Sequence, residues 1–184
     1  WILPDATREA VSEIEWLKPD FMNEEGELKF SIHALVVETP THRIVVDTCV
    51  GNDKDRLPYK VWHQLQTDFL DDLAAAGYPA DTIDVVLCTH LHVDHVGWNT
   101  MLVDGEWVPT FPNARYLMAS DEFEFWRGNR EEEFQNTVFD DSVQPVFDAG
   151  LVDLVDLNYQ VCEEVRLVPT LGHTPGHVSV GIES

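Results

Sequence analysis

The chain has 184 residues, of which 44% are hydrophobic and 24% are charged, a composition typical of one globular domain and not of a collagen-like, low-complexity or disordered chain. Its 34 acidic and 11 basic residues give a net charge of −23. Such a charge repels phosphate backbones and anionic lipids, and it therefore argues against nucleic-acid and membrane partners. We expect a single domain over residues 1–184.

Sequence patterns in the first half of the chain predict two helices and a pair of strands. Residues 6–17 mix charged and apolar side chains between two prolines, which indicates a short helix. Apolar side chains alternate over residues 28–38 and recur at 44–46, a pattern that predicts two adjacent strands. Apolar residues at helical spacing over 62–76 predict a second helix that ends at Gly77.

The second half of the chain begins with a predicted buried strand at 84–89, where the apolar run is continuous. The Asp-Gly pair at 104–105 predicts a hairpin, and apolar residues at 114–118 predict a strand that leads into a helix capped by Ser120. We interpret the acidic segment 128–145 as a loop or a loosely helical excursion. Three further short strands are predicted at residues 151–157, 165–168 and 178–182. This mixture, which contains no repeat, predicts an α/β or α+β layered fold.

Cysteine content and apolar run lengths predict a cytoplasmic protein. Cys49, Cys88 and Cys162 are odd in number and far apart, which is typical neither of a disulfide framework nor of a paired-cysteine metal site. We interpret all three as reduced. The sequence contains no apolar run of the roughly 20 residues that a membrane helix requires, and it shows no signal peptide.

The residues that carry chemistry follow the predicted buried strand. The sequence THLHVDH places His90, His92, Asp94 and His95 within six positions. Neutral imidazole nitrogens and carboxylate oxygens are the donors that zinc and similar divalent ions prefer. A later segment, LGHTPGH, carries His173 between glycines that permit tight bends and beside a proline that stiffens them. Together, these segments predict a metal site.

The same segments resemble the metallo-β-lactamase superfamily. THLHVDHVG is similar to the HxHxDH motif of that superfamily, GHTPGH to its later histidine-bearing turn, and IVVDT to its strand that ends in an aspartate. The resemblance spans residues 28–182. It implies a four-layer αββα sandwich with the metal ions at one edge, between the two sheets.

The resemblance also implies a role for each residue of the cluster. His90, His92 and His173 would hold a first metal ion, while Asp94 and His95 would belong to a second. Asp94 is in addition the candidate catalytic residue, because a carboxylate beside the metal could orient the attacking water or accept its proton.

Four further residues are candidates for a supporting role. His177 matches a histidine of the turn that is generally not a ligand in the superfamily. Asp47 matches a position that supports the site by hydrogen bonding, although a carboxylate that caps a strand end is an equally good interpretation. Trp98 and Asn99 directly follow the histidine motif; they would support the site or line the substrate pocket, unless they belong to the core.

The chain departs from the superfamily at both ends. It stops at Ser184, before the bridging aspartate and the last histidine that the superfamily supplies, and the strand expected before Trp1 is missing. We therefore expect an internal portion of a longer protein. About two zinc ions are expected in the complete protein and one or none in this chain, with iron or manganese as alternatives. A second copy of the chain could cover the incomplete sheet, which makes a homodimer an expected assembly.

The function that the resemblance implies is metal-dependent hydrolysis of a small molecule. A bound divalent ion lowers the pKa of its water from about 16 to about 7 and polarises the bond under attack. The stretches GWNT and TFPNARYL resemble a subgroup related to lactonases and organophosphate hydrolases, which favours a lactone or another ester as the substrate. Two alternatives stay open: a mononuclear-iron dioxygenase of the same fold, and a metal-binding module that has lost its catalytic activity.

Overall fold

A computed structural model describes residues 5–183 of the chain. The chain divides into two units, Trp1–Ile32 and His33–Ser184. The first unit contains the helix α1 (Arg8–Ser12) and a 3-10 turn at Glu15–Leu17. Its small core consists of three buried residues, Val11, Leu17 and Met22.

The helix predicted over 6–17 is shorter than expected. Thr7 caps α1, because its hydroxyl accepts a hydrogen bond from the backbone N–H of Ala10 at 3.2 Å. Acidic residues at Glu13 and Glu15 follow the last turn, where the helix dipole disfavours negative charge. Pro4, the predicted N-terminal boundary, lies outside the described residues.

The second unit contains all the remaining helices and strands of residues 5–183. The strands are β1 (Leu35–Glu38), β2 (Arg43–Val46), β3 (Val85–Leu87), β4 (Thr100–Val103), β5 (Glu106–Pro109), β6 (Arg115–Ala119), β7 (Val152–Val155), β8 (Val165–Pro169) and β9 (Val178–Ile182). The helices are α2 (Phe69–Ala75), α3 (Ser120–Gly128), α4 (Glu133–Ser142) and α5 (Gln144–Asp148), with 3-10 turns at Ala80–Thr82 and Gly97–Asn99.

A mixed five-stranded sheet in the order β1-β2-β3-β6-β7 forms the centre of this unit. β1 is antiparallel to β2, whereas β2, β3, β6 and β7 run parallel. Two further antiparallel pairs, β4-β5 and β8-β9, complete the strand pairing of the described residues.

Side chains of the central strands alternate between two buried clusters. Val45, Val86 and Tyr116 face the cluster that contains residues of α2, α3, α4 and α5. Their neighbours Ile44 and Leu87 face a second cluster, to which β8 and β9 contribute. Helices, sheet and second sheet therefore form three successive layers, which confirms the layered α/β fold and fits the αββα sandwich.

The hairpin and most of the short strands are confirmed. Asp104 and Gly105 have φ values of 53° and 88°, as a two-residue hairpin turn between β4 and β5 requires. The predicted strands at the positions of β2, β3, β6, β7, β8 and β9 are all present. Ser120 is not the cap of α3: Ala119 takes that position, and the Ser120 hydroxyl donates to the carbonyl of Val155 at 3.2 Å.

The strand predicted over residues 28–38 is confirmed only in its second part, as β1. Leu28 forms an isolated bridge with Met22, and residues 29–34 belong to no strand. Phe30 is 63% exposed, so its place in the alternating pattern does not reflect burial in a sheet.

The helix predicted over 62–76 is confirmed only in its C-terminal half, as α2. Before α2, the backbone of Gln64 has φ 52°, and its N–H donates to the carbonyl of Lys54 at 2.9 Å. This hydrogen bond to another segment replaces one that a helix would form, so tertiary contacts override the apolar periodicity. As predicted, Gly77 marks the end of the helix: it follows the C-cap residue Ala76 and has φ 97°.

The acidic segment 128–145 is mostly helical, so of its two interpretations the structure favours the helical one over the loop. It contains α4 and the start of α5. Val138 and Phe139 of α4 are buried in the core, and Asp141 is buried against the guanidinium of Arg56, which donates to it at 2.7 and 2.8 Å. Apolar residues at helical spacing are present in this segment, but acidic residues separate them.

The three cysteines are free, as predicted. No helix within residues 5–183 is long and apolar enough to cross a membrane.

Gly97 lies where the chain after β3 crosses the chain after β2. Its N–H donates to the carbonyl of Cys49 at 2.7 Å, and a Cβ at this position would lie 1.8 Å from the carbonyl carbon of Val50. We therefore expect Gly97→Ala to lower the free energy of unfolding by about 3 kcal/mol in urea denaturation. In the control Gly128→Ala, a Cβ meets nothing within 4 Å, so that free energy should change by less than about 1 kcal/mol. Equal effects of the two substitutions would contradict this account.

Candidate metal centre

The candidate site lies at the edge of the sheet where the parallel strands β2, β3 and β6 end. Asp47 directly follows β2, the histidine-rich loop 88–95 follows β3, and α3 begins directly after β6. The turn 170–177, which connects β8 to β9, reaches the same edge, because the N–H of Val178 donates to the carbonyl of Thr89 at 3.0 Å. The carboxyl ends of parallel strands are the usual place for a site in an open α/β sheet.

The histidine-rich loop separates apolar from polar side chains. Leu91 and Val93 are buried in the core, whereas His92 and Asp94 are only half-buried. The apolar residues between the polar ones therefore anchor the loop and direct the polar side chains to the opposite side.

His90, His92 and His173 form one group, as the sequence predicts for a first metal ion. Their ligand nitrogens all lie within 4.8 Å of one another. The Nδ1 atom of His92 and the Nε2 atom of His173 are 3.0 Å apart, and the His90 ring lies 4.8 and 4.9 Å from the other two rings. This group of three side chains could hold a metal ion.

The donor atoms of this group fit a divalent cation. The Nε2 atom of His90 is buried and has no hydrogen-bond partner within residues 5–183, a costly state that a bound ion would relieve. Tetrahedral zinc separates its nitrogen ligands by about 3.3 Å, close to the distance between His92 and His173. Burial and the neighbouring imidazoles lower the pKa of His92 to about 4 and also lower the pKa of His90, which keeps both rings in the neutral form that binds metals.

Asp94 and His95, which the family resemblance implies for a second metal ion, pair with each other. The Nε2 atom of His95 is 3.4 Å from Asp94 Oδ2, and its Nδ1 atom is 2.8 Å from Asp47 Oδ2. Burial opposes a charge on His95, but its hydrogen bonds to the two carboxylates outweigh burial and raise the pKa of His95 to about 9. The ring of His95 lies 4.0 Å from that of His90, so the two sets of predicted ligands are adjacent.

Asp47 connects the end of β2 to the histidine-rich loop. Its carboxylate accepts hydrogen bonds from the N–H of Thr89 at 2.8 Å and from the Thr89 hydroxyl at 2.8 and 3.1 Å, in addition to its contact with His95. The Thr89 hydroxyl lies 3.1 Å from His90 Nδ1. Asp47 therefore both caps the turn and contacts a predicted ligand, the two interpretations that the sequence leaves open.

His177 lies beside the group of three histidines. Its ring is 4.8 Å from that of His90 and 5.8 Å from that of His173. Its Nδ1 atom lies 2.8 Å from the hydroxyl of Thr170, so one of its two nitrogens already has a partner.

Trp98 and Asn99 lie in the interior beneath the loop. Trp98 is 6% exposed and stacks on Phe69 at 5.3 Å. Asn99 is fully buried; its side-chain oxygen accepts a hydrogen bond from the hydroxyl of Thr48 at 3.0 Å, and its amide donates to the sulfur of Cys88 at 3.5 Å. Both residues therefore belong to the core, and Asn99 also contacts the first residue of the histidine-rich loop, Cys88.

Glu122, a buried carboxylate in the first turn of α3, is not among the site residues predicted from the sequence. It accepts hydrogen bonds from backbone N–H groups of both histidine-bearing segments and from the indole of Trp126. The ring of Trp126 lies 5.4 Å from that of His92. The available signal was the four-residue spacing, which places Glu122 on the same helix face as the apolar Trp126.

The chain matches the model of one protein family and is similar in sequence to several lactonases. The family model described as the metallo-beta-lactamase superfamily matches residues 29–184. An N-acyl homoserine lactonase of Bacillus thuringiensis is 29% identical over 112 residues, which are 61% of this chain and 38% of the lactonase. This chain therefore matches well under two thirds of the curated relative.

Solved structures share the fold of this chain. A hydrolase of the beta lactamase superfamily, AbOPH, matches with a TM-score of 0.73 and 27% identity over 98% of this chain and 61% of its own. AidC, described as a dizinc quorum-quenching lactonase in complex with a homoserine product, matches with a TM-score of 0.71 and 23% identity over the same shares, 98% and 61%. At this identity, the likeness to AidC concerns the fold alone.

The two histidines of the turn 170–177 should differ in their effect on metal binding. We expect His173→Ala to weaken zinc binding by about 100-fold or more, because it removes one of three converging nitrogens. His177→Ala should weaken binding by less than about tenfold, the lower limit typical of residues that only support a ligand. Competition with a chromophoric chelator measures both affinities. A larger loss in His177→Ala than in His173→Ala would reverse the assignment of the ligand.

Proposed function

The chain belongs to the metallo-β-lactamase superfamily, and we propose that its histidine group serves a metal-dependent hydrolase that opens a lactone or another ester of a small molecule. The observation that carries the proposal is the convergence of three imidazoles with the buried, unpartnered Nε2 atom of His90. Clustering neutral donors in this way costs stability unless the cluster serves a ligand.

Zinc is the ion that we propose for this centre. His90, His92 and His173 would hold it, and a divalent ion with three nitrogen ligands keeps a position open for chemistry. Such an ion supplies Lewis acidity and a low pKa for water, so hydrolysis at neutral pH needs no covalent nucleophile. Asp94 and His95 are the proposed donors for a second ion in the complete protein.

Asp94 is the residue that we propose to act on the attacking water. Its carboxylate is half-buried beside the histidine group, and its Oδ2 atom lies 3.4 Å from His95 Nε2. From this position, Asp94 can orient a water molecule by accepting its hydrogen bond and can then take its proton. Asp47 holds His95 from the other side at 2.8 Å, which limits the movement of the His95 ring.

Two observations support a small ester or lactone as the substrate. The Bacillus thuringiensis relative, 29% identical over 112 residues, is described as an N-acyl homoserine lactonase. The net charge of −23 disfavours polyanionic substrates such as nucleic acids.

The test combines metal content with hydrolysis. Metal is measured by mass spectrometry, and ring opening of N-acyl homoserine lactones by proton release, on this chain and on the longest protein that contains it. We expect about two zinc ions and turnover of the lactone in the longest protein, and one zinc ion or none in this chain. Because the ion contributes several kcal/mol to catalysis, we expect a loss of about 1,000-fold or more in His90→Ala. His42→Ala, which changes a histidine in the turn between β1 and β2, is the matched control and should keep both metal and activity.

Each alternative outcome has a distinct meaning. Zinc without hydrolysis of any lactone or ester would reject the substrate class but keep the metal centre. Iron together with oxygen consumption would favour the dioxygenase alternative. Absence of metal from both forms of the protein would reject metal-dependent catalysis.

A further inference from the structure

We propose that Glu122 is a positioning residue of the metal centre, whose single buried carboxylate holds the loop that carries His90 and His92 against the turn that carries His173. The inference rests on the proposed metal-binding function of these histidines. It concerns a residue that lies outside both histidine motifs in the sequence.

The two oxygens of Glu122 are divided between the two histidine-bearing segments. Oε1 accepts a hydrogen bond from the backbone N–H of Leu91 at 3.1 Å, and Oε2 accepts one from the N–H of Gly176 at 2.9 Å. Leu91 stands between His90 and His92 in the sequence, and Gly176 follows His173 by three residues. One side chain thus connects the backbones on which all three proposed ligands depend.

Glu122 has the environment that a buried carboxylate requires. It is 1% exposed, and burial of a carboxylate is costly unless several donors satisfy it. Besides the two backbone N–H groups, the indole N–H of Trp126 donates to Oε1 at 2.8 Å. The first turn of α3 also favours negative charge, because the helix dipole is positive there. These donors keep the carboxylate in one orientation.

Close packing confirms that the turn is docked directly on α3. A Cβ at Gly176 would lie 2.3 Å from the backbone nitrogen of Glu122 and 2.6 Å from its Cα. The two backbones therefore meet without any side chain between them. This contact leaves the turn no room to approach the helix further, while the hydrogen bond to Oε2 prevents it from moving away.

The histidine-rich loop is held from a second direction as well. The carbonyl of Leu91 accepts a hydrogen bond from the buried side-chain amide of Gln135 in α4 at 2.6 Å, and the Leu91 side chain is fully buried. Glu122 and Gln135 thus occupy both backbone groups of the residue between the two proposed ligands. Trp126, which Glu122 also binds, packs against the ring of His92.

Substitution of Glu122 by glutamine tests the hydrogen-bonded bridge, because it keeps the shape of the side chain and removes one of its two acceptor oxygens. Glutamine is isosteric with glutamate, but it has only one acceptor oxygen, and its amide nitrogen is a donor. In Glu122→Gln, the amide nitrogen must face the N–H of either Leu91 or Gly176, so one of the two segments loses its hydrogen bond and meets a donor instead. The distance between His92 and His173 is then no longer set by the bridge.

The experiment measures metal affinity of the chain, not its activity. Zinc affinity is determined by competition with a chromophoric chelator, and ligand geometry from the visible spectrum of the cobalt form. We expect Glu122→Gln to weaken zinc binding by about 10- to 100-fold, the range typical of residues that orient metal ligands, and to change the cobalt spectrum. Asp141→Asn is the matched control: it removes the charge of another buried carboxylate, which binds Arg56 and Lys54, and should lower thermal stability without changing zinc affinity.

A second variant tests the length of the side chain independently of its charge. It also provides a test of the bridge if Glu122→Gln does not fold. Glu122→Asp keeps the negative charge but shortens the side chain by one methylene, so it should weaken zinc binding as well. Wild-type affinity and spectrum in Glu122→Gln, or full affinity in Glu122→Asp, would overturn the positioning role while leaving the proposed function intact. Failure of the wild-type protein to bind zinc, both as this chain and as the longest protein that contains it, would instead overturn the metal centre itself and, with it, this inference.

Discussion

The parallel pairing of β2, β3 and β6 is the constraint on which the candidate site depends. Val46 pairs with Leu87, and Leu87 pairs with Leu117, so these strands end at one edge of the sheet. Both faces of these strands are buried, so a shift of one residue would move each side chain from the cluster in which it packs to the opposite one. The packing of the core therefore fixes the strand register, and with it the position at the sheet edge where Asp47, the histidine-rich loop and α3 meet.

Two carboxylates connect the ends of the paired strands to the segments that carry the imidazoles. Asp47 joins the end of β2 to the loop through Thr89 and His95, and Glu122 joins the loop to the turn of His173. Both accept hydrogen bonds from backbone N–H groups, which have little freedom to move once the strands are paired. In a chain with 34 acidic residues, these two differ from the many exposed acids because their donors come from distant segments.

The sequence predicts those features that depend on local pattern. Alternation and turn chemistry identified the central strands and the hairpin at Asp104, and the spacing of the histidines identified the group that converges in the structure. The sequence does not distinguish a helix from a loop at the position of α4, because acidic residues interrupt its apolar face. The spacing of Glu122 from Trp126 indicates only a shared helix face. Its role could not be predicted, because its backbone partners lie 31 and 54 residues away and backbone N–H groups have no sequence signature.

The residues between the histidines determine how the imidazoles are placed. Leu91 contributes an apolar anchor through its side chain, and its N–H and carbonyl bind Glu122 and Gln135. Gly176 has no side chain, and this permits the close contact between the turn and α3. The backbone segments that carry the three imidazoles are thus fixed at these points by contacts within the chain. The arrangement of the three imidazoles therefore depends on the backbone, and each short motif contains both proposed ligands and the residues whose backbone contacts hold them in place.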